Sequence, residues 1–124
     1  RRAERRSATG TRTQTLISIS NLGQLLYALI SINNLGSLLY DKGDLDGAEA
    51  LLREALEASR ETLGDRHPDT LTSINNLGQL LYAKGDLDGA EALYREDLQA
   101  SRETLGDRHP KTLISISNLG QLLY

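Results

Sequence analysis

The sequence predicts an all-α fold, an α-solenoid of stacked antiparallel helix pairs, and three observations predict it. The segment SINNLGQLLY at Ser73–Tyr82 recurs nearly unchanged at Ser18–Tyr27, Ser31–Tyr40 and Ser115–Tyr124. The last three copies are 42 residues apart, and a fixed period in that range marks a stacked array whose units bury their apolar faces against one another. Within each period, two stretches with apolar residues at helical spacing are separated by glycine-containing turns. Residues 31–72 and 73–114 match at 35 of 42 positions, differing only at the pairs 37/79, 41/83, 52/94, 55/97, 57/99, 69/111 and 72/114. That degree of identity implies recent duplication or design.

Residues 1–14, RRAERRSATGTRTQ, read as a worn copy of the segment that precedes the later motifs. They lack its His-Pro pair, so a basic, poorly ordered arm is expected there. From residue 15 to 41 the apolar residues Leu16, Ile19, Leu22 and Leu26, then Leu29, Ile32, Leu35 and Leu39, follow helical spacing with no turn signal between the sets. One long helix is expected over 15–41, with Gly43 as its left-handed cap. A second helix is expected over 45–62, with Asp44 as N-cap and Leu45, Ala48, Leu52, Ala55, Leu56 and Ser59 as its buried stripe. The pattern then repeats: helices over 68–83, 87–104 and 111–124, punctuated by Gly64, Gly85, Gly106, Pro68 and Pro110.

Charge and composition exclude several classes. The first twelve residues hold five arginines against one glutamate, while the net charge of the whole is −3, so the repeat body is acidic and argues against nucleic acid. There is no cysteine, hence no disulfide or thiolate site. No run of 18 apolar residues suggests a membrane span. The missing initiator Met and the stop in mid-repeat suggest a fragment or processed product. The compartment stays unassigned, with the cytoplasm favoured over a secretory route.

The positions Ile32, Leu35, Gly36, Leu39, Gly43, Ala48, Leu52 and Ala55, and again Ile74, Leu77, Gly78, Leu81, Gly85, Ala90 and Tyr94, resemble the tetratricopeptide repeat over roughly residues 15–124. The longer period, the NNLG core and the LGDRHPDT linker look like its kinesin light chain variety. Gly36 and Gly78 lie inside expected helices, where glycine costs about 1 kcal/mol relative to alanine. A close crossing of the paired helix would offset that cost.

The resemblance implies a non-enzymatic protein-interaction scaffold whose first helices line a concave face. On those helices the non-core stripe holds Asn33, Asn34, Ser37 and Tyr40, then Thr72, Asn75, Asn76, Gln79 and Tyr82, then Ser117, Asn118, Gln121 and Tyr124. Amides both donate and accept, so this ladder suits the backbone of an extended peptide. Relatives that clamp C-terminal carboxylates use Lys and Arg in the groove; this stripe has none, which disfavours that ligand. Asp97 departs from the pattern, standing where the preceding repeat has Ala55, and is expected to be partly exposed or hydrogen-bonded by a neighbour. His67 and His109 occupy the same loop of successive repeats, too far apart to share a metal ion, so each is read as fixing a turn. No catalytic constellation, cofactor or metal site is expected.

Thr15–Tyr27 is identical to Thr112–Tyr124, yet the helix that should follow Tyr27 is absent and two first-helix motifs are fused 13 residues apart. The stripe Leu16, Ile19, Leu22 and Leu26 and the stripe Leu113, Ile116, Leu119 and Leu122 therefore lack assigned partners. Two functions follow: self-association through these faces into an oligomer or filament, favoured by near-identical repeats, or an adaptor for an extended peptide, which a varied groove would favour. Protein or peptide is the expected partner class, without nucleic acid or membrane.

Overall fold

The structure is a computed structural model and describes residues 23–124. The described residues form five helices and no strand: α1 over residues 23–41, α2 Leu45–Leu63, α3 Pro68–Lys84, α4 Leu87–Leu105 and α5 Pro110–Leu123. The expected start of α1 at residue 15 and the basic arm at 1–14 lie outside the described residues. The chain divides into two compact units, Arg1–Ser31 and Ile32–Tyr124. In the described part of the first, residues are helical, and Ser31 Oγ donates to the Tyr27 carbonyl at 3.0 Å.

Turn chemistry repeats with the sequence. Gly43 and Gly85 take φ of 87° and 88°, conformations that a Cβ disfavours. They let Asp44 N–H and Asp86 N–H reach back to the carbonyls of Leu39 and Leu81 at 2.8 and 2.9 Å, closing each helix with a Schellman-type end. Asp44 and Asp86 then cap the next helix, accepting from the backbone N–H of Gly47 and Gly89 at 3.0 Å. His67 and His109 cap α3 and α5 instead, each accepting through Nδ1 from the backbone N–H two residues on at 3.1 Å. The buried Thr70 and Thr112 fasten those helix starts by donating to the carbonyls of Gly64 and Gly106 at 2.7 Å.

In the second unit, α3 packs against both α2 and α4, and α4 packs also against α5. The position of a first helix in this stack decides its burial. Leu77 of α3 is 1% exposed, whereas Leu35, at the same place in the repeat, is 47% exposed. Ile74 is fully buried while its α5 counterpart, Ile116, is exposed. Leu35 thus departs from the buried stripe expected for α1, because α3 has a second helix on each side of it. On α2 the stripe of Ala48, Leu52, Ala55, Leu56 and Ser59 is buried as its spacing implies.

The helix glycines sit at the crossings. A Cβ built on Gly36 would lie 2.8 Å from Leu52 Cδ2, and one on Gly78 would lie 2.6 Å from Tyr94 Cε1. Gly120, the same motif position in α5, has nothing within 4 Å. Second helices are also tied to other elements at the surface. Arg60 of α2 forms a bidentate pair with Glu96 of α4, Nη2 donating to Oε1 at 2.8 Å, and Lys84 of α3 donates to Asp46 and Glu49 of α2 at 2.7 and 2.8 Å.

The crossing explanation makes opposite predictions for two equivalent glycines. Gly78→Ala should destabilise the protein by about 1–3 kcal/mol, because the buried Tyr94 ring must shift. Gly120→Ala should stabilise it by up to about 1 kcal/mol through helix propensity alone. Thermal melts of the two variants check this; a stabilised Gly78→Ala would show that the crossing has slack.

Candidate functional site

Two cavities open along the first helices. The first, about 200 Å³, lies between residues 37–41 of α1 and α3, over α2. Ser37, Tyr40, Asn76 and Gln79, four of the residues expected to line a groove, meet there with Asp41 and Leu52. The second, about 110 Å³, lies between α3 and α5, over α4, and includes Thr72 and Asn75 with Asp97, Ser101, Lys111 and Ser115. Leu71 and Ile114 are its apolar walls. Lys111, which is not a position of the polar stripe, adds a cation to the lining of this cavity.

Amides of the expected ladder, Asn75 of the second cavity among them, also bridge successive first helices. Asn118 Nδ2 of α5 donates to Asn75 Oδ1 of α3 at 2.8 Å, and Asn33 Nδ2 of α1 donates to Ser73 Oγ of α3 at 3.4 Å. These three asparagines are half-buried, and Asn33 Oδ1 has no hydrogen-bond partner among the described residues. Asn34, Tyr82 and Gln121 are exposed and line neither cavity. Sequence spacing placed all of these residues on one side of a helix; it could not tell which amides are used between helices and which face an opening.

Of the residues expected to associate with another copy, Leu113 and Ile116 are exposed on α5. Leu119 is instead 7% exposed and belongs to the core, and Leu122 is half-buried against it. Both pack against the core that the chain itself supplies, so the open apolar surface of α5 is Leu113, Ile114, Ile116 and Leu123, with Tyr124 just past its end. Leu26 is half-buried, and Leu16, Ile19 and Leu22 lie outside the described residues. Among the described residues, no group of three His, Asp or Glu side chains is gathered for a metal ion. No described helix is long and apolar enough to cross a membrane.

Asp97 is the one buried acid of the second cavity. It is 6% exposed, and of the two expected outcomes, partial exposure or hydrogen bonding by a neighbour, it has the second. Ser115 Oγ donates to Oδ2 at 2.6 Å and Ser101 Oγ to Oδ1 at 3.5 Å. Burial pushes the carboxyl above the usual aspartate range; the two hydroxyls and the charge of Lys111 oppose that shift, and nearby Glu96 adds to it. An acid with a raised folded pKa binds its proton more tightly folded than unfolded. Its ionised form therefore weighs against folding at neutral pH, and stability is regained as pH falls through the raised value toward the ordinary one near 3.8. Asp97→Asn should consequently melt above the wild type at pH 7, with the gap narrowing as pH approaches 4. Paired calorimetric scans across that window check it, and a gap that is constant with pH would contradict the assignment.

Comparisons with known proteins follow the same outline. A family model described as tetratricopeptide repeat matches residues 27–96, more than half of the chain. No curated protein matches. Among solved structures, the crystal structure of BtubC (BKLC) from P. vanneervenii aligns with a TM-score of 0.75 at 21% identity, covering 97% of this chain and 50% of that one. This chain thus spans half the length of that protein, and the likeness is one of fold. With the helix pairs, their glycine crossings and the sequence match in agreement, the chain belongs to the tetratricopeptide repeat family.

Proposed function

We propose that this chain is a protein-interaction module that holds an extended peptide along its first-helix face. Repeats of this family act as protein-interaction scaffolds, and the peptide groove is the finer reading. The observation that carries it is where the two near-identical repeats differ. Six of the seven differing pairs have a member lining one of the two cavities: Ser37, Gln79, Asp41 and Leu52 at the first, and Thr72, Asp97, Lys111 and Ile114 at the second. Duplicated units that diverge only at random would scatter such changes over the exposed helix faces. Here the framework is held and the openings vary, as ligand-specific sites on a common scaffold require. The cavity amides supply paired donors and acceptors for a peptide backbone, and Tyr40 offers flat, half-exposed apolar area.

Testing this reading requires a ligand of the stated class, such as a peptide selected on the protein from a random display library. The double variant Asn76→Ala, Gln79→Ala should bind it about tenfold more weakly, the loss of about one to two net hydrogen bonds. Thermal stability should move by less than about 0.5 kcal/mol per site. Fluorescence anisotropy with the labelled peptide reads the first quantity and a melt the second; full affinity in the double variant would move the site elsewhere.

A second reading, self-association, is favoured by the exposed apolar residues of α5 and its end, Leu113, Ile114, Ile116, Leu123 and Tyr124. A patch of this kind marks a protein contact, and an end-to-end, heterologous arrangement would give rings or open filaments. Mass measured by light scattering should then rise with concentration, and Leu113→Glu with Ile116→Glu should abolish the rise. A concentration-independent monomer removes this reading.

A further inference from the structure

The cavity between α3, α4 and α5 carries a charge that packing alone does not call for. Asp97 is nearly enclosed, and its two hydrogen-bond partners among the described residues are neutral hydroxyls. Satisfying those hydroxyls does not explain the acid. In the preceding repeat the equivalent of Ser101 is Ser59, which is fully buried beside Ala55 with no partner for its Oγ among the described residues. That repeat thus buries the equivalent serine beside an alanine, and a neutral acceptor would serve it without desolvating a charge. A buried carboxylate is costly unless a cation pairs with it.

Three of the seven differences between the repeats meet at this one cavity: Ala55 becomes Asp97, Asp69 becomes Lys111, and Thr72 becomes Ile114. The first installs the acid. The third makes the wall opposite Leu71 apolar. The second places an exposed ammonium at the rim, where its charge is felt by the acid and opposes entry of a further cation, and where it can donate to a carbonyl. At about 110 Å³ the cavity holds several times the space of one water, enough for a planar cationic head.

We propose that this cavity binds the guanidinium or ammonium head of an arginine or lysine side chain carried by the groove peptide. The head makes charge-assisted hydrogen bonds to Asp97, the alkyl stem lies between Leu71 and Ile114, and Lys111 donates to a backbone carbonyl of the same peptide. The inference rests on the groove reading for the peptide, but the cavity can be tested without one.

The probes are N-propylguanidinium and n-butylammonium, with neutral propylurea as control, followed by saturation-transfer NMR on the full chain. Saturable binding of both cations is expected, with propylurea at least about tenfold weaker. Asp97→Asn, which keeps the side-chain shape and an acceptor for Ser115, should weaken the cations about tenfold or more. Asn76→Ala with Gln79→Ala should leave them unchanged, since those residues line the other cavity. Lys111→Asp, restoring the residue of the preceding repeat, should tighten them severalfold, a second test that leaves Asp97 in place. Equal binding of propylurea, unaltered affinity in Asp97→Asn, no gain in Lys111→Asp or no binding of either cation overturns the proposal. Cation binding without any selectable peptide would instead sink the groove reading and leave the cavity standing. A selected peptide whose arginine or lysine can become citrulline or norleucine without loss would do the reverse.

Discussion

The close approach of paired helices at Gly36 and Gly78 is the constraint on which the rest of this structure depends. With no Cβ at either position, Leu52 and Tyr94 lie against the first-helix backbone at distances that a methyl group would forbid. That contact sets the spacing of each pair, and the spacing sets how far apart successive first helices stand. The half-buried asparagines span the gap that remains, and the cavities are what the asparagines leave unfilled. The exchange of Leu52 for Tyr94 shows the tolerance of the device. A larger ring occupies the same glycine notch and stays buried, and burial holds its phenol above the ordinary range, with Tyr82 and Tyr40 adding to the shift.

A repeat protein of this kind separates framework from recognition more cleanly than a domain with one central core. Caps, loop glycines, the His-Pro turns and the buried threonines are the same in both repeats, and each makes the same hydrogen bond in both. Each unit contacts only its neighbours, so successive cavities can differ: one has as its floor Leu52, the residue that also meets Gly36 at the crossing, and the next carries a carboxylate.

The two histidines illustrate how a chemically capable side chain is absorbed by structure. Each accepts a backbone N–H through Nδ1 at the start of a helix whose first residue is proline. The imidazole thereby takes the role that Asp44 and Asp86 hold elsewhere, satisfying a donor that the first turn leaves free. Asp97 is the contrasting case: an acid on a helix stripe otherwise made of alanine, leucine, tyrosine and serine, held by hydroxyls from its own helix and from α5.

The sequence by itself determined the helix pairs, their turns and the family resemblance. Period, apolar spacing and capping residues are local properties, and local hydrogen bonds enforce them. It also pointed to the glycine crossings and to Asp97 as a residue out of pattern, since a repeated motif supplies its own reference. It could not sort the polar stripe. Asn75 and Asn76 are adjacent and chemically identical, yet Asn75 accepts from Asn118 across to α5 while Asn76 lines the cavity toward α1. Nor could it show that Leu35, Leu77 and Leu119, alike in motif, range from 47% to 1% exposed, or that Asp97, Lys111 and Ile114, separated by up to 17 residues, face one cavity. Those outcomes depend on how many helices flank a given helix and at what distance, and only the packed tertiary structure decides that.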